Sequence, residues 1–297
     1  MTALGVGFVL HPDGDYLAIC RQIIEEEADF FEVSPETLWR VDGAGNLVAS
    51  PWVEVFDEFK RRSEKPFVAH GLGLSPGTAT DDAREQQRLA RWLTRIREDH
   101  ARFGFLWYTE HLGWVNAEGQ MAVLPLPLPP TDESVHVVAS RLALLKPIVP
   151  TVGFENQVSY FAFGDVREEP AFWNRICAAG DCRLLLDLHN AYTVCLNFGV
   201  PLDEYLGAID LDRVIEIHLS GGSESEPGWL PSRRVMRLDT HDGPVPEEVW
   251  RAFEWVRPRC PNLAGVVVER LNGTMSPDDA LLVRAEVRRA REIFSRR

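Results

Sequence analysis

Short apolar runs alternate with longer amphipathic stretches along the whole chain. Eight runs, at 6–10, 30–33, 66–69, 104–108, 151–154, 183–188, 214–219 and 265–268, are largely apolar or β-branched, which suits parallel strands covered on both faces. Amphipathic segments at 15–28, 52–63, 81–102, 133–145, 169–179, 202–209, 246–256 and 277–294 fall between and after them. Ser276-Pro277-Asp278-Asp279 is a helix start signal: a Ser cap, a Pro in the first turn and two acids at the positive end. The order predicts a strand followed by a helix eight times, and right-handed crossovers let such units close into an α/β fold, a (β/α)8 barrel. Two connections, 115–131 with its Leu-Pro run at 124–130 and 220–244 rich in Gly, Ser and Glu, are longer than a linker needs. Loops of that length are usually functional or mobile.

Length allows one barrel or two domains, and the eight units favour a single barrel domain over 1–297. With 45% hydrophobic and 26% charged residues, disordered, collagen-like and coiled-coil readings have no support. The net charge of −14 counts against a broad nucleic-acid footprint or an anionic membrane surface, since phosphates would meet repulsion. Five scattered cysteines form no C-x-x-C pair, so neither a zinc array nor a disulfide framework is expected. No basic n-region opens the chain and no apolar run approaches ~20 residues, which predicts a cytoplasmic protein without a membrane segment.

Chemistry enters with the histidines. Of eight, six (His11, His70, His111, His189, His218 and His241) fall at or just beyond predicted strand ends, and only His100 and His136 fall in helical stretches. Glu110, Glu155, Asp187, Asp239, Asp242 and Glu269 fall at the same ends. A single His there is more often a hydrogen-bonded rim residue than a ligand. Six, with several acids on the face where a barrel carries its site, point to divalent metal. Asp239-Thr240-His241 adds two donors on one side of an extended segment, and a bridging carboxylate can hold two ions ~3.5–4 Å apart.

The local strings are Ala69-His70-Gly71-Leu72-Gly73-Leu74-Ser75, Glu110-His111-Leu112, Glu155-Asn156, Asp187-Leu188-His189-Asn190, His218-Leu219-Ser220-Gly221, Asp239-Thr240-His241-Asp242-Gly243-Pro244-Val245 and Val268-Glu269-Arg270. In this order, over nearly the whole chain, they resemble the multinuclear non-haem iron-dependent oxidases. That TIM-barrel family carries HG-x-x-LS, (S/T)EHL, EN, LLD-x-x-N, HL-x-G and D-x-H-D-x-PV segments, and lies in a superfamily with endonuclease IV and xylose isomerase. The resemblance implies metal ligands at His70, His111, Glu155, Asp187, Asn190, His218, Asp239, His241 and Glu269, enough for two or three ions, with Glu155 as the bridging candidate. Position 189 is His where relatives often have Asn, so His189 or Asn190 supplies the ligand there, the spacing from Asp187 favouring Asn190. After strand eight, Glu269-Arg270 stands where many relatives have two acids around an aromatic.

The resemblance further implies iron and dioxygen acting on a residue, often Cys, of a ribosomally made precursor peptide, with a separate precursor-binding protein as partner. Asp242 or His11 is then the candidate for moving protons, Asp242 being equally well placed to cap its loop or orient His241. Three other readings share these residues: a divalent-metal hydrolase of the endonuclease IV type, a metal-dependent sugar isomerase, and a non-catalytic barrel that binds a peptide or stores metal.

Overall fold

The computed structural model describes residues 2–117 and 120–296. Eight parallel strands, β1 (Gly5–Val9), β2 (Phe31–Val33), β3 (Phe67–Gly71), β4 (Tyr108–His111), β5 (Val152–Glu155), β6 (Arg183–Asp187), β7 (Val214–Leu219) and β8 (Gly265–Val268), close into a barrel in which each pairs with its chain neighbours and β8 pairs with β1. This is the expected α/β barrel. The fourth strand lies later than its predicted 104–108, because Gly104 (φ 67) ends the preceding helix in the left-handed region and the chain needs three residues to reach the sheet. Glu110 and His111 are therefore inside that strand.

Alternation sorts the side chains. Phe30, Val68, Trp107, Ile215 and Val267 pack together as a cluster separate from the larger one that includes residues of the outer helices, and the Phe30 and Trp107 rings meet edge to face with centroids 5.8 Å apart. Side chains two apart on a strand share a face. Thus Glu32, His70 and Glu269 follow Phe30, Val68 and Val267 onto the barrel's inner side. Tyr108 and Glu110 have the opposite parity and leave the interior.

The connections depart from expectation in several places, among them an antiparallel pair, Trp39–Val41 with Leu47–Ala49, after β2. The predicted loop 115–131 contains an antiparallel hairpin, Trp114–Ala117 with Gln120–Leu126, residues 118 and 119 lying outside the described residues. After β6 a helix that the sequence pattern missed, Leu188–Phe198, starts at once, followed by Leu202–Gly207. The predicted helix 15–28 is broken into Gly14–Ile19 and a π turn, Ile23–Glu27. That turn ends on a carboxylate that accepts hydrogen bonds from Arg284 Nε (2.7 Å) and Arg288 Nη2 (2.6 Å) of the last helix, Pro277–Ser295. Arginines of the last helix thus anchor the π turn. The start of that helix is as read, the Ser276 N–H donating to Asp279 at 2.8 Å.

All five cysteines are buried and free, and no helix among the described residues is long and apolar enough to cross a membrane.

The Arg288 hydrogen bond, opposed by burial and helped by Arg284, lowers the Glu27 carboxyl from 4.5 to about 2. A depressed acid stabilises the fold above its unfolded pKa and stops doing so as pH falls through its folded one. Glu27→Gln should therefore cost about 1 kcal/mol at neutral pH. The deficit against wild type, followed by urea unfolding at stepped pH, should shrink between pH 4.5 and about 2; a deficit constant with pH would contradict this role.

Candidate metal centre

The C-terminal ends of the strands bring nearly all the expected donors together. Glu155, at the end of β5, is the hub: its Oε2 lies 3.4 Å from His70 Nε2 and 3.3 Å from His111 Nε2, and its Oε1 lies 3.6 Å from His218 Nδ1. His218 Nδ1 is also 3.1 Å from Glu269 Oε2, and His241 reaches both Glu269 (Nδ1, 3.8 Å) and Asp239 (Nε2 to Oδ1, 2.8 Å). Three buried or half-buried triads, His70/Glu155/His218, Glu32/His218/Glu269 and Asp187/His241/Glu269, have donor atoms within 4.8 Å of one another. Such groups can hold metal ions.

Unsatisfied atoms test that fit. Asp187 Oδ2, Asn190 Oδ1, His218 Nδ1 and Glu269 Oε2 are buried without a hydrogen-bond partner, a costly arrangement for four atoms of one cluster unless a cation completes it. His218 Nδ1 and Glu269 Oε2 lie 3.1 Å apart, a pairing that either a proton on the ring or a shared cation would satisfy. The donor set, imidazole with carboxylate and one amide oxygen, suits borderline or hard divalent ions.

Local structure explains the motif spacings. Asp187 ends β6 and caps the helix Leu188–Phe198: its Oδ1 accepts from Asn190 N at 2.6 Å, which leaves Oδ2 buried without a protein partner. Asn190 Nδ2 donates to Asn156 O at 3.1 Å, which fixes the amide with Oδ1 open. Asn156 itself clamps the Asp187 backbone, accepting from its N–H (2.7 Å) and donating to its carbonyl (2.9 Å). Neighbouring His189 spends both nitrogens on protein, Nδ1 on Asp239 Oδ1 (3.1 Å) and Nε2 on Arg237 (3.4 Å) and Thr193 (3.5 Å).

The glycines of two motifs have tight surroundings. A Cβ at Gly71 would run into Tyr108 Oη, and one at Gly221 into the Pro244 carbonyl. The imidazoles are oriented from behind: His111 Nδ1 donates to Gly71 O at 2.8 Å, and His70 Nδ1 is 3.0 Å from Thr109 Oγ1. His241 sits at φ 52, uncommon for a residue with a Cβ. Its loop is held by Asp242, whose oxygens accept from the Thr240 and Ser223 hydroxyls, both at 2.6 Å, while Tyr160 Oη accepts from Asp239 N at 3.0 Å.

Not every strand-end residue joins the cluster. Asp242 is exposed on its loop. His11 lies to one side, Nε2 donating to Arg270 O at 3.1 Å and the ring edge-on to Tyr16. Glu110 faces away, with Tyr108 Oη 3.3 Å from its carboxylate and Glu36 beyond. Conversely, Glu32 was missed: its Oε2 is 3.0 Å from His218 Nε2, both side chains being buried. An acid interrupting the apolar run Phe30-Phe31-Glu32-Val33 was the signal.

Electrostatics follow the crowding. Burial opposes charge on His70 and His241, but Glu155 and Asp239 respectively outweigh it and raise them to about 9 and about 10. Burial also opposes ionisation of Glu155, yet His111 and His70 hold it well below the carboxylate range. Asp187 is pushed up by burial and by Glu155, Asp239 and Glu269.

The sequence profile of the family described as RiPP precursor modification enzyme MbnB/TglH/ChrH matches residues 5–295. The chain belongs to this family. Its RiPPs are ribosomally made, post-translationally modified peptides, which makes a precursor-modifying enzyme the reading of this barrel. Relatives of this MbnB/TglH/ChrH-type chain include a UPF0276 protein of Caulobacter vibrioides, 34% identical over 271 residues and covering 91% of this chain and 88% of that one. Another, from Pseudomonas aeruginosa, is 31% identical over 229 residues, covering 76% and 72%. Among solved structures, 3-keto-D-glucoside 4-epimerase from E. coli aligns at TM-score 0.57 and 18% identity, over 96% of this chain and 99% of its own. Endonuclease IV from Thermus thermophilus aligns at 0.56 and 18%, over 97% and 99%. At that identity the likeness is one of fold.

Proposed function

We propose that the chain is a multinuclear non-haem iron oxidase that uses dioxygen to modify a residue, a cysteine, of a ribosomally made precursor peptide, with a separate precursor-binding protein as partner. The observation that carries the reading is the set of open, buried donor atoms on Asp187, Asn190, His218 and Glu269 around the Glu155 hub, in a chain whose family modifies precursor peptides. The ligands are His70, His111, Glu155, Asp187, Asn190, His218, Asp239, His241 and Glu269. Asn190 is chosen over His189 because its oxygen is open while both His189 nitrogens are engaged. Two or three iron ions held there supply redox contact with dioxygen and an open position for a thiolate.

The protein's own part is orientation and proton handling. Glu155 offers one oxygen to the His70 and His111 side and the other to the His218 side, the arrangement of a bridging carboxylate. Asn156 and Thr109 fix the ligands behind it, as outer partners of metal sites do. His11 is held down by burial and keeps its Nε2 proton on Arg270 O, so its Nδ1 is the side that takes a proton. Asp242 serves the same end through its loop.

Replacing His218 or Asp187 with Ala should lower the iron bound per chain after anaerobic purification, measured by elemental analysis; full retention in both would remove the ligand assignment. Asp242→Asn should keep the metal and lower turnover, and an unchanged turnover would confine Asp242 to clasping its loop. The reaction itself is tested by co-expression with a short Cys-containing precursor encoded beside this gene. Mass spectrometry should find a mass change that requires oxygen and disappears when the Cys is replaced by Ser; the same change without oxygen would overturn the oxidase.

A further inference from the structure

Glu32 belongs to the Glu32/His218/Glu269 triad, yet it meets His218 at the ring nitrogen opposite the one that faces Glu155 and Glu269. It sits on β2, on the same inner side as Phe30 and one residue before the strand ends. Its Oε2 accepts a hydrogen bond from His218 Nε2 at 3.0 Å, the carboxylate and the ring being 2% and 0% exposed. An imidazole with Nε2 protonated has its lone pair on Nδ1. That atom is buried, has no hydrogen-bond partner, and lies between Glu155 Oε1 (3.6 Å) and Glu269 Oε2 (3.1 Å). Without Glu32 the ring has two tautomers and a half-turn about its bond to choose from. With it, one nitrogen is committed to the barrel interior and the other to the cluster. Thr109 and the Gly71 carbonyl stand behind His70 and His111 as neutral partners, whereas His218 has a carboxylate in that position.

We propose that Glu32 is a positioning residue that fixes the tautomer and ring orientation of His218, so that Nδ1 completes the junction between the Glu155 and Glu269 halves of the centre. The inference rests on the metal-centre reading and adds to it a carboxylate–histidine–metal relay, in which the buried anion also makes the ligand more basic. Glu32→Gln keeps an oxygen able to accept the Nε2 proton and loses the charge, whereas Glu32→Ala loses both.

Anaerobic titration of the metal-free proteins with ferrous iron, with folding checked by circular dichroism, separates the outcomes. In a folded variant, affinity at one site should fall on the order of 10-fold in Glu32→Gln and nearer 100-fold in Glu32→Ala, with the number of sites unchanged. If Glu32→Ala does not fold, Glu32→Gln decides alone. Wild-type affinity at every site in the folded variants would overturn the positioning role, and so would loss of a whole equivalent of iron in Glu32→Gln, which would make Glu32 a ligand. Wild-type protein that binds no iron would instead overturn the metal centre on which the inference rests.

Discussion

Three buried carboxylates, those of Glu155, Asp187 and Glu269, converge at the mouth of the barrel with the half-buried Asp239. Two unit charges 4 Å apart repel by roughly 4 kcal/mol near a protein surface, so four together are tolerated only if something positive joins them. The histidines answer part of this by holding protons, as the upward shifts of His70 and His241 indicate. A proton on imidazole satisfies one lone pair, however, and Asp187 Oδ2 and Asn190 Oδ1 remain open. Divalent cations would satisfy the whole set at once, displacing protons from the histidines as they bound.

The rest of the barrel exists to hold that convergence still. Strand parity delivers Glu32, His70, Glu155, Asp187 and Glu269 to the inner side above a plug of Phe30 and Trp107, and a register irregularity early in β7 brings His218 there three residues after Ile215, so donor direction is inherited from the sheet. Where strands end, the backbone is fastened sideways: Asn156 clamps Asp187, the Asp187 cap aims Asn190, and Tyr160 ties Asp239 to the neighbouring loop. The motifs are therefore only partly metal-type donors. Gly71, Gly221 and Asn156 are there because side chains and loops must approach one another closely.

The barrel was legible because parallel strands covered on both faces are nearly pure apolar runs, against which His70, Glu155 or His218 at an end stands out. Glu32 escaped since it falls inside its run and reads as an interruption. The helix Leu188–Phe198 escaped for a related reason: its cap, Asp187, is also the last residue of a strand, and Thr193, Val194 and Cys195 do not favour helix intrinsically. The 114–126 hairpin was hidden by Pro125 and the prolines that follow it, which sequence reasoning assigns to loops. His189 and Asn190 could not be separated by spacing alone, because the difference is one of partners: Arg237 and Asp239 come from a distant loop.

The claim on which all of this depends is that the open donors around Glu155 hold iron. Mössbauer spectroscopy with elemental analysis, on protein purified without oxygen from cells supplied with iron-57, tests it most directly. The account predicts two or three iron atoms per chain, at least two of them magnetically coupled through a shared carboxylate. Folded protein that carries no iron, or carries it as isolated uncoupled ions, would contradict it.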